Sequence, residues 1–277
     1  MLKVVIIGTG WWGMELGKAA KARANKVELG GSCSLSEAEC ANFVAAYGGK
    51  TWKTYEDVLT DKSVGAVMLA TAHSLHWKQV IQAAEANKHV FCEKPFTLSV
   101  ETASKAIRAC ESAGVVLAVG HNRRFLPCPR KMKAMIEGGE LGKVIHVDAN
   151  YSGNIEGRYP KNHWRVQQSE IPCGASTPMG LHMVDTLTWL LGPVARLTAI
   201  TKHQALSYPL DDTCAVLFEL QSGVTGQYGS HLACPQTSIL RIYGTKANIE
   251  SRNAFSELLT EPADATQPRA HIRQAHI

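Results

Sequence analysis

The six residues Gly8-Thr9-Gly10-Trp11-Trp12-Gly13 restrict this chain more than any other stretch. They follow the apolar run Val4-Val5-Ile6-Ile7 and open a helical pattern through Leu16 and Ala20. Strand, glycine turn and helix, in that order, form the context in which a backbone wraps the pyrophosphate of a dinucleotide. Gly8 permits the tight turn, and Gly10 lets the backbone approach the phosphates. Gly13 lets helix and strand pack closely, while unpaired amides at the helix start point at the anion. Glycines at this spacing also collect in ordinary loops, and it is their place directly after four β-favouring residues that makes the pattern specific. Gly8, Gly10, Trp11, Trp12 and Gly13 are therefore candidate cofactor-binding residues.

Strand–helix alternation continues along the chain. Val27–Ser32 reads as a second strand and Ala66–Ala70 as a third, a continuous apolar run of the kind covered on both faces in a parallel sheet. Thr71 to His76 turns into a helix, and His89–Cys92 is a strand ending in Glu93-Lys94-Pro95. A helix over 99–112 leads to a fifth strand at Val115–Val119. This rhythm predicts an α/β domain over residues 1–120 with a right-handed, doubly wound parallel sheet. Ligands then lie at the carboxyl ends of its strands, where Gly10, Thr71, Lys94 and His121 fall.

After residue 120 the rhythm changes. A helix at Pro129–Glu137 precedes a strand at Val144–Asn150. Strand-like stretches at Leu197–Thr201, Thr213–Leu220, Gly226–His231 and Ile239–Tyr243 then follow without helices between them. Residues 121–277 read as an α+β domain on a largely antiparallel open sheet, with a loosely ordered tail from Glu261 to Ile277.

With 277 residues the chain is long enough for two domains. Its net charge of +5 is dispersed, and Arg123-Arg124 and Lys131-Met132-Lys133 are too short to form a nucleic-acid tract. The eight cysteines form no Cys-x-x-Cys pair and several sit in apolar runs, which predicts reduced thiols, no metal site and a cytoplasmic protein. No apolar run approaches the roughly 20 residues that span a bilayer.

Where the second strand ends, an NAD site normally places an acidic residue for the ribose hydroxyls. Here the stretch is Ser32-Cys33-Ser34-Leu35-Ser36, with no acid before Glu37. Without a carboxylate nothing repels a 2′-phosphate, and Ser34 and Ser36 offer it hydroxyls. NADP is therefore expected over NAD, although no arginine follows to clamp the phosphate. Ser36 also suits the N-cap of the next helix, with Glu39 completing a capping box.

Gly8-x-Gly10-x-x-Gly13, Glu93-Lys94-Pro95, Trp164-Arg165 and Gly180-Leu181-His182-x-x-Asp185 occur in that order. Together they resemble the glucose–fructose oxidoreductase / inositol dehydrogenase / MocA family, from residue 1 to about 250. The resemblance implies an N-terminal Rossmann domain binding NAD or NADP. It also implies a C-terminal domain whose open sheet joins subunits into a homo-oligomer, a dimer or tetramer. The implied reaction is hydride transfer between a sugar-like alcohol or ketone and the nicotinamide. Thr71, His76, Glu93 and Lys94 then join the cofactor site, and the Lys94–Pro95 bond is often cis in such proteins. Arg123, Arg165, His182 and Asp185 fall on the substrate side.

The chemistry gives two of these positions roles. Oxidising a secondary alcohol needs a base for the hydroxyl proton, and Lys94 at a strand end beside a cationic nicotinamide suits that task. His182 lies on a helix read as Thr177–Leu191, with Pro178 in its first turn and Gly192-Pro193 after its end. Leu181, Val184, Leu187, Leu190 and Leu191 make the expected buried stripe. His182, Asp185 and Trp189 share another face.

One departure affects the chemistry. The family pattern has an Asp four residues before the histidine, and this chain has Pro178 there. Proline can neither accept a proton nor hold a hydroxyl, so activity on a carbonyl or a carboxylated substrate is expected over activity on neutral polyols. Two alternatives stand beside the oxidoreductase: a glycosidase-type relative that recycles tightly held NAD, and a non-catalytic nucleotide-binding protein.

Overall fold

The computed structural model describes residues 1–264 and 266–273. The chain divides into two compact units, Met1–Gly120 and His121–Ile277.

The first unit runs β1 (Leu2–Ile7), α1 (Trp11–Lys21), β2 (Val27–Cys33), α2 (Glu37–Tyr47), β3 (Lys50–Trp52) and α3 (Tyr55–Thr60). It continues with β4 (Ala66–Leu69), α4 (His76–Glu85), β5 (His89–Cys92), α5 (Val100–Ala113) and β6 (Leu117–Val119). Its six strands are all parallel, in the order β3-β2-β1-β4-β5-β6. The order reverses between β1 and β4, and a sheet of this kind opens its ligand crevice at the carboxyl ends of those two strands. The apolar strands are covered on both faces, as their continuous runs require. Val5, Ile7, Val67, Leu69 and Val90 pack on Val80, Ala83, Ala84 and Ala106. Ile6 faces the other way, onto Leu16 and Phe43.

Helix starts follow local side-chain chemistry. Thr54 and Asp57 form a capping box at α3, and Ser99 caps α5. The sheet has one strand more than the sequence suggested. Residues 50–52 add β3 at its edge, followed by the short helix α3, where the apolar pattern is too brief to announce either.

The second unit runs α6 (Pro127–Glu137), β7 (Val144–Asn154), α7 (Gly180–Leu191), β8 (Val194–Lys202), β9 (Thr213–Leu220) and β10 (Thr225–His231). Then come β11 (Ala233–Gly244), β12 (Ala247–Arg252), β13 (Glu257–Pro262) and β14 (Ala270–Arg273). These eight strands form a mixed sheet in the order β14-β13-β12-β11-β7-β10-β9-β8. All neighbours are antiparallel except β7 with β10. Helices α6 and α7 cover one face. Met132, Met135, Met183, Leu187 and Leu190 pack there on Val147, Tyr151, Phe218, Leu240 and Ile242. A second apolar cluster, with Val166, Ile171, Leu206, Tyr208 and Leu210, holds the long connections around residues 155–179 and 203–212. Asp212 anchors the latter: its Oδ2 accepts from the amides of Gln204, Ala205 and Leu206 at 3.0, 2.7 and 2.9 Å.

Three expectations change here. The tail pairs through β13 and β14 rather than trailing loosely, since Leu258 inserts into the core and carries the strand with it; positions 265 and 274–277 lie outside the described residues. Helix α7 begins at Gly180, after a short helical turn at Gly174–Ser176, so Pro178 precedes the helix instead of opening it. A Cβ on Gly180 would overlap the Tyr228 hydroxyl, so glycine lets the helix start against β10. The buried stripe is also rotated: Met183 is fully buried and Val184 is exposed, because the helix lies against the sheet through Met183, Leu187 and Leu190.

Candidate active site

In the first unit, the glycine loop sits at the point where strand order reverses. Gly8 has a φ of +87°, and a Cβ there would come 2.8 Å from the Ala70 carbonyl oxygen and 3.1 Å from the Thr71 amide nitrogen. Only glycine fits this turn against the end of β4. Helix α1 starts at Gly10 with no side-chain cap, and a Cβ on Gly10 would meet nothing within 4 Å. The first turn of α1 thus starts without a side-chain cap, the arrangement a pyrophosphate needs. Trp11 is exposed and its ring centre lies 5.2 Å from that of Trp12, tilted by 58°; the Trp12 ring packs towards Leu16 and Phe43.

The carboxyl ends of β4 and β5 gather the other candidates of this unit. The buried His76 ring places Nδ1 2.8 Å from the Pro95 carbonyl oxygen and Nε2 3.2 Å from that of Thr71. It thereby ties the loop after β4 to the loop after β5. Thr71 Oγ1 donates to Gln79 Oε1 at 2.6 Å, fixing the first of these loops on α4. The Lys94–Pro95 bond is cis. Glu93 is buried, its Oε2 accepts from the Lys94 amide at 3.1 Å, and its carboxylate lies against Gly120, where a Cβ would come within 2.7 Å. Lys94 is half-buried. Its backbone is thus held by Glu93 on one side and by the His76-bound Pro95 on the other.

The end of β2 differs from expectation. Ser34 Oγ donates to Glu39 Oε2 at 2.9 Å. Ser36 caps α2, accepting from the Glu39 amide at 3.3 Å, but the reciprocal half of the capping box is not made, because the Glu39 carboxylate turns back to Ser34. The absence of an acid in residues 32–36 had pointed to NADP. Folding brings a carboxylate to that place from one helical turn further on.

The second unit collects its own cluster. Arg124 Nε donates to Asp185 Oδ2 at 2.8 Å, and a second guanidinium nitrogen donates to Oδ1. His121 Nδ1 lies 3.7 Å from the same carboxylate. The Asp185 hydrogen bond raises the Arg124 pKa above its ordinary value, so the guanidinium stays charged. Both oxygens of Asp185, expected on the substrate side, accept from Arg124, which pins the turn at Asn122–Phe125 to α7. Arg123 turns the other way and donates to the Tyr151 hydroxyl at 3.2 Å. The Tyr151 and His182 rings are 6.0 Å apart. The Arg165 guanidinium carbon lies 4.3 Å from the Trp164 ring centre. His163, Trp164 and Tyr159 form a stack there, and burial with the nearby Arg165 charge lowers the His163 pKa. Tyr151 and Gln79 were missed from sequence. Both are single polar residues within otherwise ordinary elements, and only their partners reveal them.

Among the described residues no group of His, Cys, Asp and Glu could hold a metal, all eight cysteines are unpaired, and no helix is long and apolar enough to cross a membrane. A glycine loop at the reversal point of a parallel six-stranded sheet defines a nucleotide-binding protein of the Rossmann class. Sequence comparison places it within that class. The model described as "Oxidoreductase family, NAD-binding Rossmann fold" matches residues 2–121, and "GFO/IDH/MocA C-terminal domain" matches 130–250. The chain belongs to the GFO/IDH/MocA family of NAD-binding oxidoreductases.

Among its relatives, the 2,7-anhydro-N-acetylneuraminate hydratase of Escherichia coli is 28% identical over 90% of this chain. The 1,5-anhydro-D-fructose reductase of Ensifer adhaerens is 27% identical over 85% of it. The chain spans 67% and 71% of those proteins' own lengths. The solved WlbA dehydrogenase of Bordetella pertussis, in complex with NADH and UDP-GlcNAcA, is 27% identical with a TM-score of 0.86, covering 91% of this chain and 78% of that one.

Proposed function

We propose that this chain is an NAD(P)-dependent dehydrogenase or reductase acting at a CH–OH carbon of a small, sugar-like or carboxylated molecule. The observation that carries the reading is Lys94: a half-buried amine at the end of β5, its backbone held by Glu93 and the His76-bound Pro95. It stands on the same sheet end as the uncapped amides of α1. Bound there, a nicotinamide cofactor supplies or accepts the hydride. Lys94 takes the proton from the substrate hydroxyl in oxidation and returns it to the carbonyl oxygen in reduction. His182, in the second unit, is the second candidate for the chemistry, as a hydrogen-bond donor to substrate. Arg123 and Arg165 read a substrate carboxylate. Pro178 supplies no acceptor, so deprotonating a neutral polyol rests on Lys94 without help from that position.

The sugar reductase and dehydrogenase among the relatives support this reading, and neither the glycosidase-type nor the non-catalytic alternative is favoured by them. We also infer a cytoplasmic homo-oligomer, supported by the eight unpaired cysteines and by the sheet face opposite α6 and α7. That face carries exposed Ile200 and Leu217 beside a cleft of about 710 Å³ lined by Asp148, Gln227 and Arg241.

The test is a panel of sugars, cyclitols, keto sugars and sugar acids, followed at the nicotinamide absorbance. Turnover of a carbonyl or carboxylated member is expected, with little on myo-inositol or glucose. Efficient oxidation of those neutral substrates overturns the substrate class. Product formation without any net absorbance change means the cofactor is recycled and overturns the net oxidoreductase.

A further inference from the structure

We infer that Glu39, held against Ser34, selects the cofactor by its ribose, favouring the free 2′-hydroxyl of NAD(H) over the 2′-phosphate of NADP(H). The inference rests on the cofactor reading above and goes beyond it by naming the discriminating group.

The location comes from contacts around the glycine loop. The Gly8 amide donates to the Cys33 carbonyl at 2.8 Å, so the last residue of β2 is bonded to the first glycine of the loop. Ser34 follows immediately. The first turn of α2 lies on the same loop: Cys40 Sγ is 4.0 Å from Thr9 Oγ1 and 4.0 Å from the Ser34 carbonyl oxygen. Glu39 precedes Cys40 on the solvent side of that turn, and its Oε2 accepts from Ser34 Oγ at 2.9 Å. Its backbone is held by the Ser36 cap. A dinucleotide whose pyrophosphate rests on the start of α1 carries its adenosine ribose to the end of β2. The ribose hydroxyls then meet the Ser34–Glu39 pair.

Charge sets the direction of the preference. Residues 34–47 contain Glu37 and Glu39 and no Lys, Arg or His. A 2′-phosphate would bring close to two negative charges beside these carboxylates with no cation on the element to meet them. A 2′-hydroxyl, by contrast, donates to Glu39 Oε1 or Oε2 in a charge-assisted hydrogen bond, with Ser34 orienting the carboxylate. Glu39 thus does from the first turn of α2 what an acidic residue at the strand end does elsewhere.

The experiment is titration of the intact protein with NADH and with NADPH, read by energy transfer from tryptophan to the nicotinamide. Trp11 and Trp12 open α1, directly after Gly10. The unmodified protein should bind NADH at least about 10-fold more tightly than NADPH, the scale of one charge-assisted contact. Glu39→Gln should narrow that ratio by about 10-fold, and Glu39→Arg should invert it, the 2′-phosphate then finding a cation. Thermal melting of the free variants checks that both fold. Equal or tighter binding of NADPH by the unmodified protein overturns the inference, and so does an unchanged ratio in Glu39→Gln. Failure to bind either nucleotide instead overturns the cofactor reading on which the inference stands.

Discussion

Arg124→Ala and Asp185→Asn remove opposite halves of one ion pair, and the structure makes their costs unequal. The Asp185 side chain is 6% exposed and that of Arg124 is 38% exposed. Without Arg124, a carboxylate is left inside the second unit with the His121 ring 3.7 Å away. Breaking a buried pair from this side costs roughly 3–5 kcal/mol. Without the Asp185 charge, the guanidinium left behind already reaches water and Asn keeps one acceptor. That loss is about 1–2 kcal/mol, a charged hydrogen bond discounted for exposure. At roughly 2–4 °C per kcal/mol for a unit of this size, Arg124→Ala should lower the melting temperature by about 6–20 °C and Asp185→Asn by about 2–8 °C. Differential scanning calorimetry at neutral pH reads both losses. Asp185→Asn costing as much as Arg124→Ala would refute the reasoning. So would an unchanged melting temperature with a raised KM, which would make Asp185 a substrate ligand.

Two further outcomes follow from single contacts. Gly8→Ala should abolish nucleotide binding in a fluorescence titration, because the Cβ falls 2.8 Å from the Ala70 carbonyl at a φ of +87°; unchanged affinity would contradict the placement of the loop. For Asp212, burial pushes the pKa up, but the amides of Leu206, Ala205 and Gln204 and the Thr213 hydroxyl outweigh it and bring it to about 2. Its contribution to stability should therefore be full above about pH 4 and disappear as pH falls through about 2. Asp212→Ala should lose roughly 2–3 kcal/mol in urea denaturation at neutral pH, and a loss that persists undiminished in strong acid would show another cause.

How far the sequence carries can be judged residue by residue. The first unit was legible because parallel strands buried on both faces write themselves as runs such as Val4–Ile7 and Ala66–Leu69, and because Gly8 and Gly13 answer to backbone sterics at one place. Strand β3 was not, since three residues at a sheet edge carry no period. Helix α7 was seen but turned wrongly: Val184 looked like core, yet the sheet meets the helix through Met183 and Leu187, a choice made by tertiary packing. Lys94 and His182 could be named from motifs. The partners that hold the surroundings, Pro95 for His76, Tyr151 for Arg123 and Arg124 for Asp185, lie 19, 28 and 61 residues away in sequence. Glu39 shows the same limit at short range. Read linearly, it belonged to a capping box; its rotamer sends the carboxylate to Ser34, and the uncharged end of β2 gains a negative charge with it.

The central claim is that Lys94 moves the proton that accompanies hydride transfer. The most direct measurement compares Lys94→Ala with the unmodified protein in single-turnover nicotinamide absorbance, alongside nucleotide affinity by titration. Turnover should fall by roughly 10²–10⁴-fold, the contribution of a positioned acid–base group, while the dissociation constant of the nucleotide changes little. Retained turnover, or a loss fully accounted for by weakened nucleotide binding, would contradict the claim.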